Sequence, residues 1–63
     1  MSNASANVNK EEDVLLAKFS ESVKSRNLDK KCQATKNLLN FYNKKGEKNK
    51  AEMAKGILKR DCK

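Results

Sequence analysis

Sixty-three residues carry thirteen lysines, two arginines, eight acids and no histidine, for a formal charge of +7. That length allows one small domain and no second core. With no histidine and only two cysteines, the residue set offers no metal-ligand cluster and no Cys–His nucleophile, so neither a cofactor nor catalysis is expected.

The large apolar side chains are few, from Val14 to Leu58. A domain of this size buries only ~60% of the surface its unfolded chain exposes, so a disulfide, self-association or a partner is expected to supplement the core. Charge is unevenly placed. Residues 1–26 balance four bases against four acids, whereas residues 27–63 set eleven bases against four acids and hold the whole excess. A field of that sign draws acidic protein faces, nucleic acid or anionic surfaces, although lysines also simply solubilise exposed helices. The start, MSNASANVN, has no basic n-region or apolar run of a secretory signal, and no stretch approaches the ~18 apolar residues of a membrane span. With Met1 as the start, this points to a cytoplasmic or nuclear protein.

In chain order, residues 1–8 are small and polar and read as a disordered tail, leaving 9–63 as a single domain. A first helix is predicted over Lys10 to Arg26. Asn9 and Glu12 have capping-box spacing, and Glu11, Glu12 and Asp13 suit the positive end of the helix dipole. Leu15, Leu16, Phe19 and Val23 form one narrow stripe, with Val14 off it.

Asn27 reads as the N-cap of a second helix over 28–45. Leu28, Cys32, Thr35, Leu39 and Tyr42 fall on one stripe, and Leu38 and Phe41 on a second beside it. The two cover about half the circumference, wider than the roughly 100° arc of a helix with a single neighbour, so this helix is predicted to be central, with a helix on each flank. Gly46 suits the left-handed C′ position, and Lys44 and Lys45 suit the last turn. After a link of Glu47 and Lys48, Asn49 and Glu52 repeat the capping-box spacing and predict a third helix over 50–62. Its inward face is Ala51, Met53, Ala54, Ile57 and Leu58, and Gly56 falls on the exposed arc. The fold class expected is all-α, three helices, with the second in the middle.

Cys32 lies near the start of the second helix and Cys62 at the end of the third, with Gly46 almost midway. In an antiparallel hairpin about Gly46 the two meet at the open end, where a disulfide would close a loop of about 30 residues. The alternative is a small core residue at Cys32 and a fraying-end thiol at Cys62, as a reducing compartment would require.

From Asn37 to Asp61, the paired leucines, an aromatic, Lys-Lys-Gly at the turn and an alanine followed by a hydrophobic run resemble one helical-hairpin repeat of the tetratricopeptide or pentatricopeptide kind. Such repeats stack in several copies to bury a continuous face, and this chain holds one. The resemblance implies a helical hairpin and assigns no binding residue.

The recurrent chemistry is lysine on exposed helical arcs. The candidate macromolecule-binding residues are Lys36, Lys44, Lys45, Lys48, Lys50, Lys55, Lys59 and Arg60. Lysine is a flexible point charge, without the bidentate fork by which arginine reads guanine or phosphate, and Phe19, Phe41 and Tyr42 all fit core stripes. The function expected is a small non-catalytic regulator, an adaptor or inhibitor that binds a protein with an acidic surface. The alternative is a basic regulator contacting nucleic-acid phosphates through its second and third helices, with Gly46 as the bend of a helix-turn-helix. Assembly into a homodimer is a third possibility.

Overall fold

In the computed structural model the chain forms three helices, α1 (Asn3–Lys24), α2 (Leu28–Lys45) and α3 (Lys48–Asp61). Backbone is described for residues 3–62 and side chains for residues 10–62, and no strand occurs among them. The tail expected over residues 1–8 lies outside the residues with described side chains, so packing is argued from Lys10 onward. The α1 backbone already runs through Asn9, which places the Asn9–Glu12 pair inside the helix and not at its start. Alanines at 4 and 6, and the lack of glycine or proline before Asn9, leave nothing to stop the helix from extending backward.

The two links share one design. Arg26 N–H donates to the Val23 carbonyl and Asn27 N–H to the Ser22 carbonyl; Gly46 N–H donates to the Asn43 carbonyl and Glu47 N–H to the Tyr42 carbonyl. Both are Schellman closures, which require a left-handed residue at C′. Gly46 meets that at φ 74°, and Arg26 adopts it at φ 56° despite its Cβ. The residue after each closure begins the next helix. Asn27 accepts a side-chain hydrogen bond from Lys30 N–H, whereas Glu47 caps α3 through its backbone alone. The Asn49 cap expected for the third helix is therefore corrected: α3 starts at Lys48 because the Gly46 closure delivers Glu47 directly into the cap position.

α2 is central. It packs against α1 on one flank and α3 on the other, and the α1 and α3 backbones stay apart, bridged by the Glu12–Lys50 side-chain pair. Its buried residues, Ala34, Thr35, Leu38, Phe41 and Tyr42, span both predicted stripes. Phe41 and Tyr42 meet edge to face at 5.6 Å between ring centroids. With Leu38 and Ala51 they form the core, against which Leu15, Phe19 and Leu39 pack. Thr35 is fully buried, and its hydroxyl donates to the Lys31 carbonyl at 2.6 Å, so no buried donor is left unpaired there. Ser22 is buried in the same way, donating to the Phe19 carbonyl at 2.6 Å.

The Cα envelope measures 41 × 25 × 12 Å. A breadth of 25 Å fits three helices side by side at the usual spacing of about 8–10 Å, and a triangular bundle would measure roughly 14 Å across. The breadth of 25 Å with a thickness of 12 Å describes one curved layer, not a closed triangular bundle. This geometry corrects part of the predicted inward face: Leu16, Val23, Leu28 and Met53 are exposed, with Met53 at 70% and Leu28 at 55%. A layer has two faces, and the stripes cover only the seams between helices.

Candidate binding surface

One face of the layer is concave. Thr35, Leu38 and Tyr42 of α2 form its floor, Leu16 and Phe19 of α1 one wall, and Met53, Ala54 and Ile57 of α3 the other, around a groove of about 420 Å³ that the Glu12–Lys50 pair spans at the turn end. The antiparallel order places these residues opposite one another: Tyr42 and Lys50 flank the Gly46 turn, and Lys31 meets Asp61 at the far end.

At the turn end, side chains from all three helices join. The Tyr42 hydroxyl donates to Glu12 Oε2 at 2.9 Å, and Lys50 Nζ donates to the same oxygen at 3.2 Å. Lys50 Nζ also lies 5.6 Å from the Tyr42 ring centroid. The Tyr42 hydrogen bond, reinforced by Lys50, holds the Glu12 carboxyl below its usual range. Burial, with the Glu12 hydrogen bond, pushes the Tyr42 hydroxyl up to about 12. Each group is locked in its neutral-pH form, so the cluster is a clasp between α1 and α3 and is ill suited to proton transfer. Glu12 therefore does more than charge a helix end, the role that accounted for it in the sequence.

At the far end Cys32 and Cys62 are bonded, with Cα atoms 5.9 Å apart, and Lys31 Nζ donates to Asp61 Oδ2 at 2.8 Å. The Lys31 hydrogen bond holds the Asp61 carboxyl below its usual range, helped by Arg60. α2 and α3 are thus fastened at both ends as an antiparallel hairpin, unlike the roughly 90–120° crossing of a helix-turn-helix.

The candidate cations are all exposed. Lys44, Lys45 and Lys48 gather at the α2–α3 turn, with Lys50 beside them on the groove side. Twelve helical residues, about 18 Å, separate Lys48 from Arg60, and Lys36 stands apart on α2. Lys45 lies over the Phe41 ring at 5.7 Å. Lys55 pairs with Glu52 at 3.8 Å and Arg60 with Asp61 at 3.4 Å. Lys36, Lys44, Lys48 and Lys59 have no carboxylate within ion-pair distance among the described residues. No group of three potential metal ligands occurs among those residues, and none of their helices is long and apolar enough to cross a membrane.

Sequence periodicity missed the groove. Leu16 and Met53 carry the only advance signal, as apolar residues at the edges of their stripes. Compared with known protein families, curated proteins and solved structures, the chain gives no match.

Proposed function

We propose that this protein is a non-catalytic regulator that acts by binding another protein with an acidic surface. The observation that carries the reading is an apolar groove floored by α2 and walled by α1 and α3, beside lysines at the Gly46 turn without carboxylate partners among the described residues. Protein interfaces combine a desolvated apolar centre with a charged rim that guides encounter. A nucleic-acid backbone has use for the lysines and none for exposed Leu16 and Met53. Thirteen lysines against two arginines, with Phe41 and Tyr42 buried, also argue against base reading.

The test is capture by the tagged, disulfide-bonded chain from its own cells, with and without nuclease. The reading expects an acidic protein in fixed stoichiometry that survives nuclease. Recovery of nucleic acid alone, lost between 50 and 200 mM salt as phosphate contacts are, would replace it with the alternative reading. The compartment belongs to the same proposal. A cytoplasmic or nuclear setting keeps Cys32 and Cys62 as thiols, and an oxidising one keeps them bonded, so thiol trapping in cells decides between them.

A further inference from the structure

We propose that the Cys32–Cys62 bond is a reversible redox latch on the last turn of α3, with Gly56 as the hinge, and that the groove is complete only while the latch is closed. The latch acts within the chain itself, so it holds whether the bound macromolecule is a protein or a nucleic acid.

α3 is fastened unequally along its length. Toward the Gly46 turn it has the chain connection, the Lys50–Glu12 pair and the buried Ala51 and Ala54, whereas past Gly56 its apolar residues, Ile57 and Leu58, are only half-buried. Lys31–Asp61 joins the disulfide at that end, but an ion pair with both side chains 24% exposed is too weak to hold a helix end alone. Glycine favours a helix interior about fivefold less than alanine, and nothing lies within 4 Å of where a Cβ on Gly56 would stand. Packing does not require this glycine, and it falls where the fixed half of α3 meets the latched one.

Both cysteines are half-buried at one end of the layer, within reach of a small reductant. Lys36 follows Cys32 by four residues and Lys59 precedes Cys62 by three, both exposed and without a carboxylate partner among the described residues. Of the acids nearby, Asp61 is engaged by Lys31, and Asp29 lies one turn before Cys32. Cations so placed draw an attacking thiolate and stabilise the sulfur that leaves. A dithiol supplies the two electrons. One of its thiolates attacks a cysteine sulfur, the Cys32–Cys62 bond breaks as a mixed disulfide forms, and the departing thiolate takes a proton from water. The second thiolate of the dithiol then displaces the other cysteine, which is protonated likewise, and the dithiol leaves as a cyclic disulfide.

With the bond open, Ile57 to Asp61 fray, because so short a helix end with a half-buried face is not stable by itself. The antiparallel order sets Ile57 and Thr35 at the disulfide end of the groove, so fraying removes part of the α3 wall there and carries Lys59 and Arg60 with it. Met53 and Ala54 stay on the clasped side. Lys31 and Asp61 each adjoin a cysteine, so re-formation of their pair returns the thiols to bonding reach and makes the latch reversible.

The experiment is reduction of the full chain by dithiothreitol, followed by alkylation and mass spectrometry, with NMR of both forms. The reduction rate is expected to rise in proportion to dithiothreitol without levelling off. A plateau at the rate of global unfolding would make the bond a buried staple and overturn the proposal. In the reduced chain, backbone order parameters from Leu58 to Cys62 should fall below about 0.6, while those of Ala51 to Ala54 and of α2 stay near about 0.85. Gly56→Ala should lower the ratio of frayed to helical ends, read from the Cα chemical shifts of those residues, about fivefold. Unchanged order after reduction, loss of order in all three helices together, or an alanine variant as frayed as the parent would overturn the latch. Oxidised dithiothreitol should return the intramolecular bond and the lost order, and covalent dimers in its place would contradict a reversible device.

Discussion

At the residue scale, two positions hold conformations or protons that their chemistry alone would not choose. Arg26 takes the left-handed C′ place of a Schellman closure at φ 56°, where a Cβ costs roughly 1 kcal/mol. Arg26→Gly should stabilise the fold by about 0.5–1 kcal/mol in urea unfolding, even though it removes a solubilising charge; a loss of stability would show that the arginine side chain matters more than its backbone. Tyr42 keeps its proton more tightly in the folded chain than in the unfolded one. Its contribution is complete below about pH 10 and disappears as pH climbs through about 12. Glu12 behaves oppositely: its contribution is complete above its ordinary value of 4.5 and is lost as pH falls through the depressed one. Tyr42→Phe should cost about 1 kcal/mol at pH 7 and flatten the alkaline loss of stability. If the variant and the parent melt in parallel from pH 9 to 12, the Tyr42–Glu12 bond is not formed in solution. Neither residue's role was legible in the sequence, because Tyr42 reads only as core and Glu12 only as a helix-end charge until α1 and α2 are laid side by side.

At the element scale, α2 was the most legible part of the chain. Two adjacent apolar stripes require two neighbours, and Asn27 and Gly46 mark its ends by ordinary capping chemistry. The starts of α1 and α3 were not legible, because Asn–x–x–Glu spacing occurs inside both helices as well as at true caps. α3 fully buries the small side chains Ala51 and Ala54 and half-buries Ile57 and Leu58, a modest apolar seam by area. The Cys32–Cys62 bond and Lys31–Asp61 add to that seam at its far end. Closing a loop of 30 residues is worth about 3–4 kcal/mol through the entropy of the unfolded chain. Reduction, or Cys32→Ser with Cys62→Ser, should lower stability by about that much and raise amide exchange in α3 before α1 and α2. Uniform exchange along all three helices after reduction would mean that the apolar seam, not the bond, holds α3.

At the scale of the whole molecule, three helices in one layer explain why so few large apolar residues suffice and why several remain in water. Periodicity says which face of a helix is apolar, but not how far a neighbour covers it. That is why Leu16 and Met53 read as core in sequence and stand exposed in the fold. The candidate lysines were legible as exposed; their division into a cluster at the Gly46 turn and separate charges near the disulfide depends on the hairpin. The central claim is that the face between α1 and α3 is open in the free chain. Solvent paramagnetic relaxation of methyl groups, using a soluble gadolinium chelate on the disulfide-bonded protein, tests it most directly. The Met53 and Leu16 methyls should relax several times faster than those of Leu38, which is 5% exposed. Equal protection of all three would show that α1 and α3 close over α2, and the open groove would be contradicted.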